Sequence, residues 1–267
     1  MITSSSNAKV KEIRKLHDRK YRQVSGLFYL EGLRLIGEAF ELGVEIELLV
    51  YSPDLLKSDF GNSLLDKAEK KGITKVQVSQ DVFKSLALKE RPQGIAAVVR
   101  QKYSSENSIY EGEKALWIAL DSIQDPGNLG TIFRTADACG VEGVILLNQT
   151  TDPYDDESVR ASMGSIFALK IIKMDFLDFY SLIEKGKIPV IGTSGSAQTD
   201  YQTFDYPEKM VLLMGSERLG LQEKHLQICD EVVRIPMIGR ADSLNLAVAT
   251  SVVLYEIFNQ RRKRGAR

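Results

Sequence analysis

Along the amino-terminal part of the chain the apolar positions switch between two periods. Val10, Ile13 and Leu16 recur at helical spacing within Ser6 to Lys20, with lysines and arginines on the other faces, which predicts a short basic amphipathic helix. Leu27 to Leu30 reads as a strand, and Leu33 to Leu42 as a helix stopped by Gly43, a residue that tolerates the positive φ of a helix end. A strand at Ile46 to Tyr51, a helix at Leu64 to Lys71 before Gly72, and strands at Lys75 to Val78 and Ile95 to Val99 complete an alternating α/β block. From Gln101 to Glu113 the apolar period gives way to small polar residues, the composition of a linker.

Beyond that stretch the strands become almost continuously apolar. They are expected at Ala115 to Leu120, Gly143 to Leu147, Leu169 to Ile172, Pro189 to Gly192, Met210 to Met214 and Val232 to Ile235. Helices are expected between or after them, at Leu129 to Cys139, Glu157 to Phe167, Phe176 to Lys185 and Ser243 to Gln260. Apolar strands separated by helices predict a parallel sheet covered on both faces. The expected organisation is therefore α/β throughout: a small domain over residues 1–103, a linker over 104–113 and a larger parallel-sheet domain over 114–267. Ligands of such sheets bind beyond the carboxyl ends of the strands. Three polar, glycine-containing loops occupy those places, after Leu120, after Met214 and after Ile235.

Composition narrows the chemistry. A hydrophobic content of 43% with 27% charged residues is the profile of a globular protein, and no apolar run reaches the length of a membrane span, so a cytoplasmic location is expected. Two cysteines, Cys139 and Cys229, and two histidines, His17 and His225, suggest neither a disulfide framework nor a zinc-type site, and no metal is expected. The net charge of −1 conceals two basic clusters. One lies between Lys9 and Arg22; the other runs from Arg261 to Arg267. Each could be a solvated face or a nucleic-acid contact.

Phosphate-binding fingerprints are missing. The chain has no Gly-x-x-x-x-Gly-Lys-Ser/Thr, and Gly192-Thr193-Ser194-Gly195-Ser196-Ala197 lacks the third glycine of a dinucleotide loop, which counts against a nucleotide-dependent oxidoreductase. What remains is Asn128, Arg134, Glu217, Ser243 and Asn245, polar side chains at or just beyond strand ends beside Gly127, Gly130, Gly215, Gly220 and Gly239. Taken singly, Asn128 and Ser243 would serve as helix N-caps and Glu217 as a solvated loop acid.

Together, Asn128-Leu129-Gly130-Thr131-Ile132-Phe133-Arg134, Leu213-Met214-Gly215-Ser216-Glu217-Arg218-Leu219-Gly220, and Ile235-Pro236-Met237 through Ser243-Leu244-Asn245 resemble, in order, the three motifs of the SpoU (TrmH) class of RNA 2′-O-methyltransferases in the SPOUT superfamily. The segment from Ser5 to Lys11, with Phe28-Tyr29-Leu30-Glu31-Gly32, is similar to the substrate-binding domain that many members carry. The resemblance implies a trefoil knot in the second domain, an exception to the rule against threaded chains, and a homodimer. It also implies S-adenosylmethionine held around Gly215, Ile235 and Leu244, with Thr193, Leu213, Met237 and Asn245 nearby. Arg134 would be the catalytic residue, close to the partner subunit's cofactor, while Asn128, Glu217, Ser243 and Asn245 shape the pocket.

A ribose hydroxyl must lose its proton as it attacks a methyl group, so alignment and stabilisation of the forming alkoxide are the useful contributions. A guanidinium suits the second task but is a poor base, its pKa lying above about 12. Arg134 is accordingly expected to orient the hydroxyl and the ribose phosphate. The same resemblance directs Lys9, Lys11, Arg14, Lys15, Arg19, Arg22 and Arg160 to structured RNA, ribosomal RNA first and transfer RNA as the alternative. A non-catalytic RNA-binding protein that keeps the fold is the remaining possibility.

Overall fold

The computed structural model describes residues 1–265 and divides into two compact units, Met1–Gln101 with Tyr154–Phe167, and Lys102–Pro153 with Ala168–Arg267. The last two residues of the basic carboxyl-terminal cluster, Ala266 and Arg267, lie outside the described residues.

In the first unit a four-stranded sheet has the order β1-β4-β2-β3, formed by Leu27–Glu31, Ile95–Arg100, Ile46–Tyr51 and Thr74–Gln77. β4 pairs antiparallel with both β1 and β2, and β2 pairs parallel with β3. One face is packed by α1 (Ala8–Lys15) and α5 (Gln80–Leu86) through Val10, Ile13, Val82 and Phe83. The expected single basic helix is two. α1 stops at Lys15, and a second helix, α2 (Arg19–Ser25), restarts behind the Asp18 carboxylate, which accepts from the Tyr21 N–H. Gly26 ends α2 at φ 67°, a left-handed conformation. α3 (Leu33–Glu41) and α4 (Asp59–Lys70) follow the expected pattern, α4 beginning earlier because Ser58 caps it.

The second unit holds a seven-stranded sheet of order β7-β6-β5-β10-β8-β11-β9, with every pair parallel. Its strands are β5 Leu116–Asp121, β6 Gly143–Leu147, β7 Lys170–Met174, β8 Val190–Thr193, β9 Thr199–Asp200, β10 Met210–Met214 and β11 Glu231–Arg234. The central strands are buried along their whole length, because α6 (Pro126–Ala138), α8 (Phe176–Gly186) and α10 (Leu246–Gly265) provide the covering helices. Thr135 Oγ1 and Ser251 Oγ, 3.0 Å apart, join α6 to α10. Among the described residues no helix is long and apolar enough to cross a membrane.

Two boundaries differ from the sequence reading. Residues 104–113 are not a free linker: Glu106–Tyr110 form a 3₁₀ turn with Ile109 buried, and the Tyr110 hydroxyl donates to the Leu182 carbonyl at 3.0 Å. The second domain is also not continuous, since Tyr154–Phe167 packs with the first unit. The cause is side-chain burial: Tyr154 and Phe167 lie 4.8 and 6.4 Å from Phe28 of β1, ring centre to ring centre. The helix expected over Glu157 to Phe167 is correspondingly short, α7 (Asp156–Ser162), with Met163 left-handed at φ 54°.

Candidate active site

Because all pairs of the large sheet are parallel, the carboxyl ends of its strands share one edge, and the loops after β5, β8, β10 and β11 all leave from it. The loop after β10 is the tightest. A methyl group added at Gly215 would stand 2.1 Å from the Gly220 carbonyl carbon, so glycine is required where the two backbones meet. The Gly220 N–H donates to the Ser216 carbonyl at 2.9 Å, the Leu219 N–H to Ser216 Oγ at 3.2 Å, and Gly220 sits at φ 59°. The result is a closed turn whose inner side walls a cavity of about 530 Å³.

That cavity is bounded by β8 and its following loop at Thr193, by the Gly215 to Leu221 turn, and by the loop after β11 at Ile235, Met237, Ser243, Leu244 and Asn245. Six of the seven residues expected around a cofactor therefore meet here: Thr193, Gly215, Ile235, Met237, Leu244 and Asn245. Leu213 does not. It is fully buried in β10, its side chain belonging to the core beside Trp117 and Val190. Ser194, Leu219 and Asp242 line the cavity without having been singled out in the sequence; their place beside strand ends was the available signal.

Three polar residues from three motifs form one hydrogen-bonded chain. The Asn245 side-chain amide donates to Asn128 Oδ1 at 2.9 Å, and the Asn128 amide donates to Glu217 Oε1 at 3.3 Å. Glu217 also accepts from the backbone N–H groups of Gln124 and Asp125, at 3.3 and 3.4 Å. Asn245 Oδ1 in turn accepts from the Ala247 and Val248 N–H groups at 2.9 and 3.3 Å, which makes it the cap of α10. The capping roles thus differ from those read singly in the sequence. Asp125, not Asn128, caps α6, accepting from the Asn128 N–H at 2.6 Å; Ser243 lines the cavity but caps nothing. Glu217 is exposed, as read, and also ties two loops together.

Arg134 stands apart from this group. It is exposed on α6, outside the cavity lining, and makes no hydrogen bond or ion pair among the described residues. Both cysteines behave as packing residues, burial pushing the Cys139 thiol up to about 11 and the Cys229 thiol up to about 12.

The basic residues divide. Lys9 and Lys11 are exposed on α1; Lys15 is exposed but paired with Glu12 at 2.7 Å, and Arg14 donates to Ser85 Oγ at 2.9 Å. Arg19 is exposed, and exposed Arg160 contacts Asp156 at 3.4 Å. Arg22 is not a surface contact. It is 3% exposed and donates to the carbonyls of Leu16 and His17 at 3.0 and 2.9 Å and to Asp155 at 3.0 Å. The break between α1 and α2 turns it inward, where it satisfies the carbonyls that the break exposes. At the carboxyl end, Arg261 donates to the Lys114 carbonyl at 3.1 Å and Arg264 to the Tyr206 carbonyl at 2.7 Å, so part of that cluster fastens the last helix.

Residues 115–255 match the model of the SpoU rRNA methylase family, and residues 7–97 match that of an MRM3-like substrate-binding domain. The chain belongs to the SpoU rRNA methylase family. It is 33% identical to the 23S rRNA (guanosine(2553)-2′-O)-methyltransferase RlmP of Bacillus subtilis over 96% of its own length and 98% of that protein's. Among solved structures, an AdoMet-bound rRNA methyltransferase from Sinorhizobium meliloti superposes with a TM-score of 0.88 at 40% identity, covering 98% of this chain and 97% of the other. The SpoU methyltransferase AviRb from Streptomyces viridochromogenes superposes with a TM-score of 0.87 at 30% identity, covering 96% and 98%. The large parallel sheet is accordingly a SPOUT-type catalytic domain.

Proposed function

We infer that this protein methylates a ribose 2′-hydroxyl in ribosomal RNA, using S-adenosylmethionine held in the cavity at the strand ends. The observation that carries this reading is the chain from Asn245 through Asn128 to Glu217, which fastens all three family motifs at the mouth of one cavity. The cavity suits the cofactor. Its volume of about 530 Å³ is within the range for ligands of that size, and it pairs apolar walls at Leu219, Leu244 and Leu246 with the charged residues Glu217, Arg218 and Asp242, two acids against one base. When bound, S-adenosylmethionine supplies an already activated methyl on a positively charged sulfur, so the chain itself need only position and stabilise.

Those tasks fall to identifiable residues. Glu217 and Asn128 hold the loop after β5 against the turn after β10, and Asn245 fixes the start of α10 to both. Arg134, exposed and without a structural partner among the described residues, is suited to bind the ribose phosphate and stabilise the alkoxide as it forms. It would act at the cavity of a second subunit in a homodimer, with the carboxyl-terminal segments threaded as a trefoil knot. The proton leaves to phosphate or water. Lys9, Lys11, Arg14, Lys15 and Arg19 of the first unit, with Arg160, supply phosphate contacts that position folded RNA without reading bases. The Bacillus subtilis relative acts on a guanosine and a Streptomyces viridochromogenes relative on a uridine, which fits a site that grips ribose and leaves base identity to the RNA fold.

Incubation with methyl-labelled S-adenosylmethionine and separated ribosomal and transfer RNA, followed by ribose mapping, tests this. Label on a 2′-oxygen of ribosomal RNA is expected. Label confined to transfer RNA, or placed on a base, would overturn the substrate assignment.

A further inference from the structure

The turn that walls the cavity continues without a break into α9 (Glu223–Leu226), and the fourth residue after Leu221 is His225, which is 0% exposed. Its backbone N–H donates to the Gln222 carbonyl at 2.8 Å, while its ring Nδ1 accepts from the Gln222 N–H at 3.0 Å. An acceptor at Nδ1 places the proton of the neutral ring on Nε2. Nε2 lies 3.4 Å from Asp121 Oδ2, near enough for attraction but outside hydrogen-bond alignment. The Phe176 ring meets the imidazole edge-on at 4.8 Å.

Asp121 is itself placed. It ends β5, is 6% exposed, and accepts from the side-chain amide of Asn148, the residue just after β6. Asn148 Oδ1 accepts from the Phe176 N–H at 3.2 Å. The residues after Asp121 are those whose N–H groups Glu217 holds. The loop after β5 and the turn after β10 are thus joined twice: at the surface by Glu217, and in the interior by His225 facing Asp121.

We propose that His225 is a positioning residue for the methyl-transfer reaction, its neutral imidazole fixing the carboxyl end of the cavity turn so that residues 215–221 hold the cofactor. This rests on the reading of the cavity as the S-adenosylmethionine site. The role depends on protonation. The charged groups acting on His225 are Asp121, from β5, and Lys224, from its own helix; Phe176 of α8 presents only a ring, and Cys229 donates its thiol to the His225 carbonyl at 3.1 Å. Burial is the largest influence and lowers the His225 pKa below the usual 6.5, against the pull of Asp121. The unfolded chain therefore takes up this proton at a higher pH than the folded one. The contribution of His225 to order is complete above that usual value, falls as pH drops below it, and levels off once the folded form is protonated too. Protonation turns Nδ1 into a donor facing the Gln222 N–H, which removes the bond that fixes the turn.

Calorimetric titration of the whole protein with S-adenosylmethionine tests the assignment, together with kcat and KM and with hydrogen exchange of residues 216–222. His225→Leu should weaken cofactor binding by about tenfold, the loss of one good buried hydrogen bond, with kcat at saturating cofactor changed by less than about threefold. A purely structural role would lower the active fraction and leave the affinity of the remainder unchanged. Wild-type affinity should fall several-fold between about pH 7.5 and an acid pH below the lowered folded-state pKa of His225, beneath the usual histidine range. His225→Asn keeps an acceptor for the Gln222 N–H but cannot titrate, and should bind at both pH values as the wild type does at the higher. Unaltered affinity in His225→Leu, or the same acid weakening in His225→Asn, would overturn the proposal. If His225→Leu does not fold, the pH series on His225→Asn decides alone. Should the wild type bind no S-adenosylmethionine at any pH, the cavity reading fails, and exchange then judges His225 separately. Protection of the Gln222 N–H that disappears on acidification in wild type but persists in His225→Asn supports its role in the turn; protection indifferent to both sinks it.

Discussion

Arg22 and Arg134 are both helical arginines, and they live in opposite surroundings. Arg22, on α2, spends its guanidinium on two backbone carbonyls and the Asp155 carboxylate and is almost wholly buried. Arg134, on α6, is exposed and contributes no hydrogen bond or ion pair among the described residues. A buried guanidinium is tolerated only when its donors are satisfied, so the first is committed to the fold. The second has no structural task, which leaves its charge available to a ligand. Charge and helical position are alike in the two; what separates them is whether a helix break leaves carbonyls nearby for the side chain to satisfy.

The comparison is sharpest in a reciprocal pair of substitutions. Arg134→Ala should lower methyl transfer by about a hundred- to a thousandfold, the scale expected when a group stabilising transition-state charge is removed. Its melting temperature should stay close to wild type, since surface substitutions usually fall within about 0.5 kcal/mol. Near-normal turnover in that variant would remove Arg134 from the mechanism. Arg22→Ala should do the reverse. It deletes charge-assisted bonds to the Leu16 and His17 carbonyls and should cost about 2–4 kcal/mol in chemical denaturation, kept below the fully buried case because the Asp155 side chain remains 38% exposed. Any fraction still folded should bind S-adenosylmethionine normally. An undiminished denaturation midpoint would show that Arg22 is not the staple its contacts describe.

The same contrast explains what could be read from the residues. β6 and β10 fall where their apolar runs place them, residue for residue, because a strand buried on both faces leaves an unmistakable block such as Met210-Val211-Leu212-Leu213-Met214. The short helices α2, α5 and α9 escaped, each having at most two turns and thus too few apolar repeats to show a period. In the site, strand-end loops marked where polar residues would gather, and Asn128, Glu217 and Asn245 do meet. The exchange of capping roles was not legible, since Asp125 and Asn128, like Ser243 and Asn245, are equally competent caps and only the path of the loop chooses. Leu213 sits on a core face because strand side chains alternate, and the motif alone does not say which face each residue takes. His225 offered no clue, its partner Asp121 being far away in sequence.

Below the two arginines in expected effect lies a position where fold and site share one atom's worth of space. Gly215→Ala would place a methyl group 2.1 Å from the Gly220 backbone, and no flexible side chain is there to yield. The turn must open, at a cost of about 1–3 kcal/mol for an overpacked contact. Most of that cost should appear as weakened cofactor binding rather than as global unfolding, because the turn lies outside the strands. Ligand titration beside a thermal melt separates the two. A variant that binds S-adenosylmethionine as wild type does would mean that the turn is not part of the cofactor site.

The smallest effect is expected at the exposed lysines of α1. Lys9 and Lys11 carry no ion pair among the described residues, whereas Lys15 is held by Glu12 and Arg14 by Ser85. If α1 contacts RNA phosphates, replacing Lys9 or Lys11 by Ala should weaken RNA binding modestly and at every sequence alike. Removing one such phosphate interaction should also reduce the slope of log affinity against log salt by about 0.7–0.9. Lys15→Ala should change the slope less, because Glu12 already neutralises part of that charge. Arg22→Ala, in the fraction that folds, should leave the slope where it was, its charge being sealed among carbonyls. A slope that drops for Arg22→Ala and not for Lys9→Ala would reverse the division between buried staple and exposed contact, and would place the RNA on the other side of the α1–α2 break.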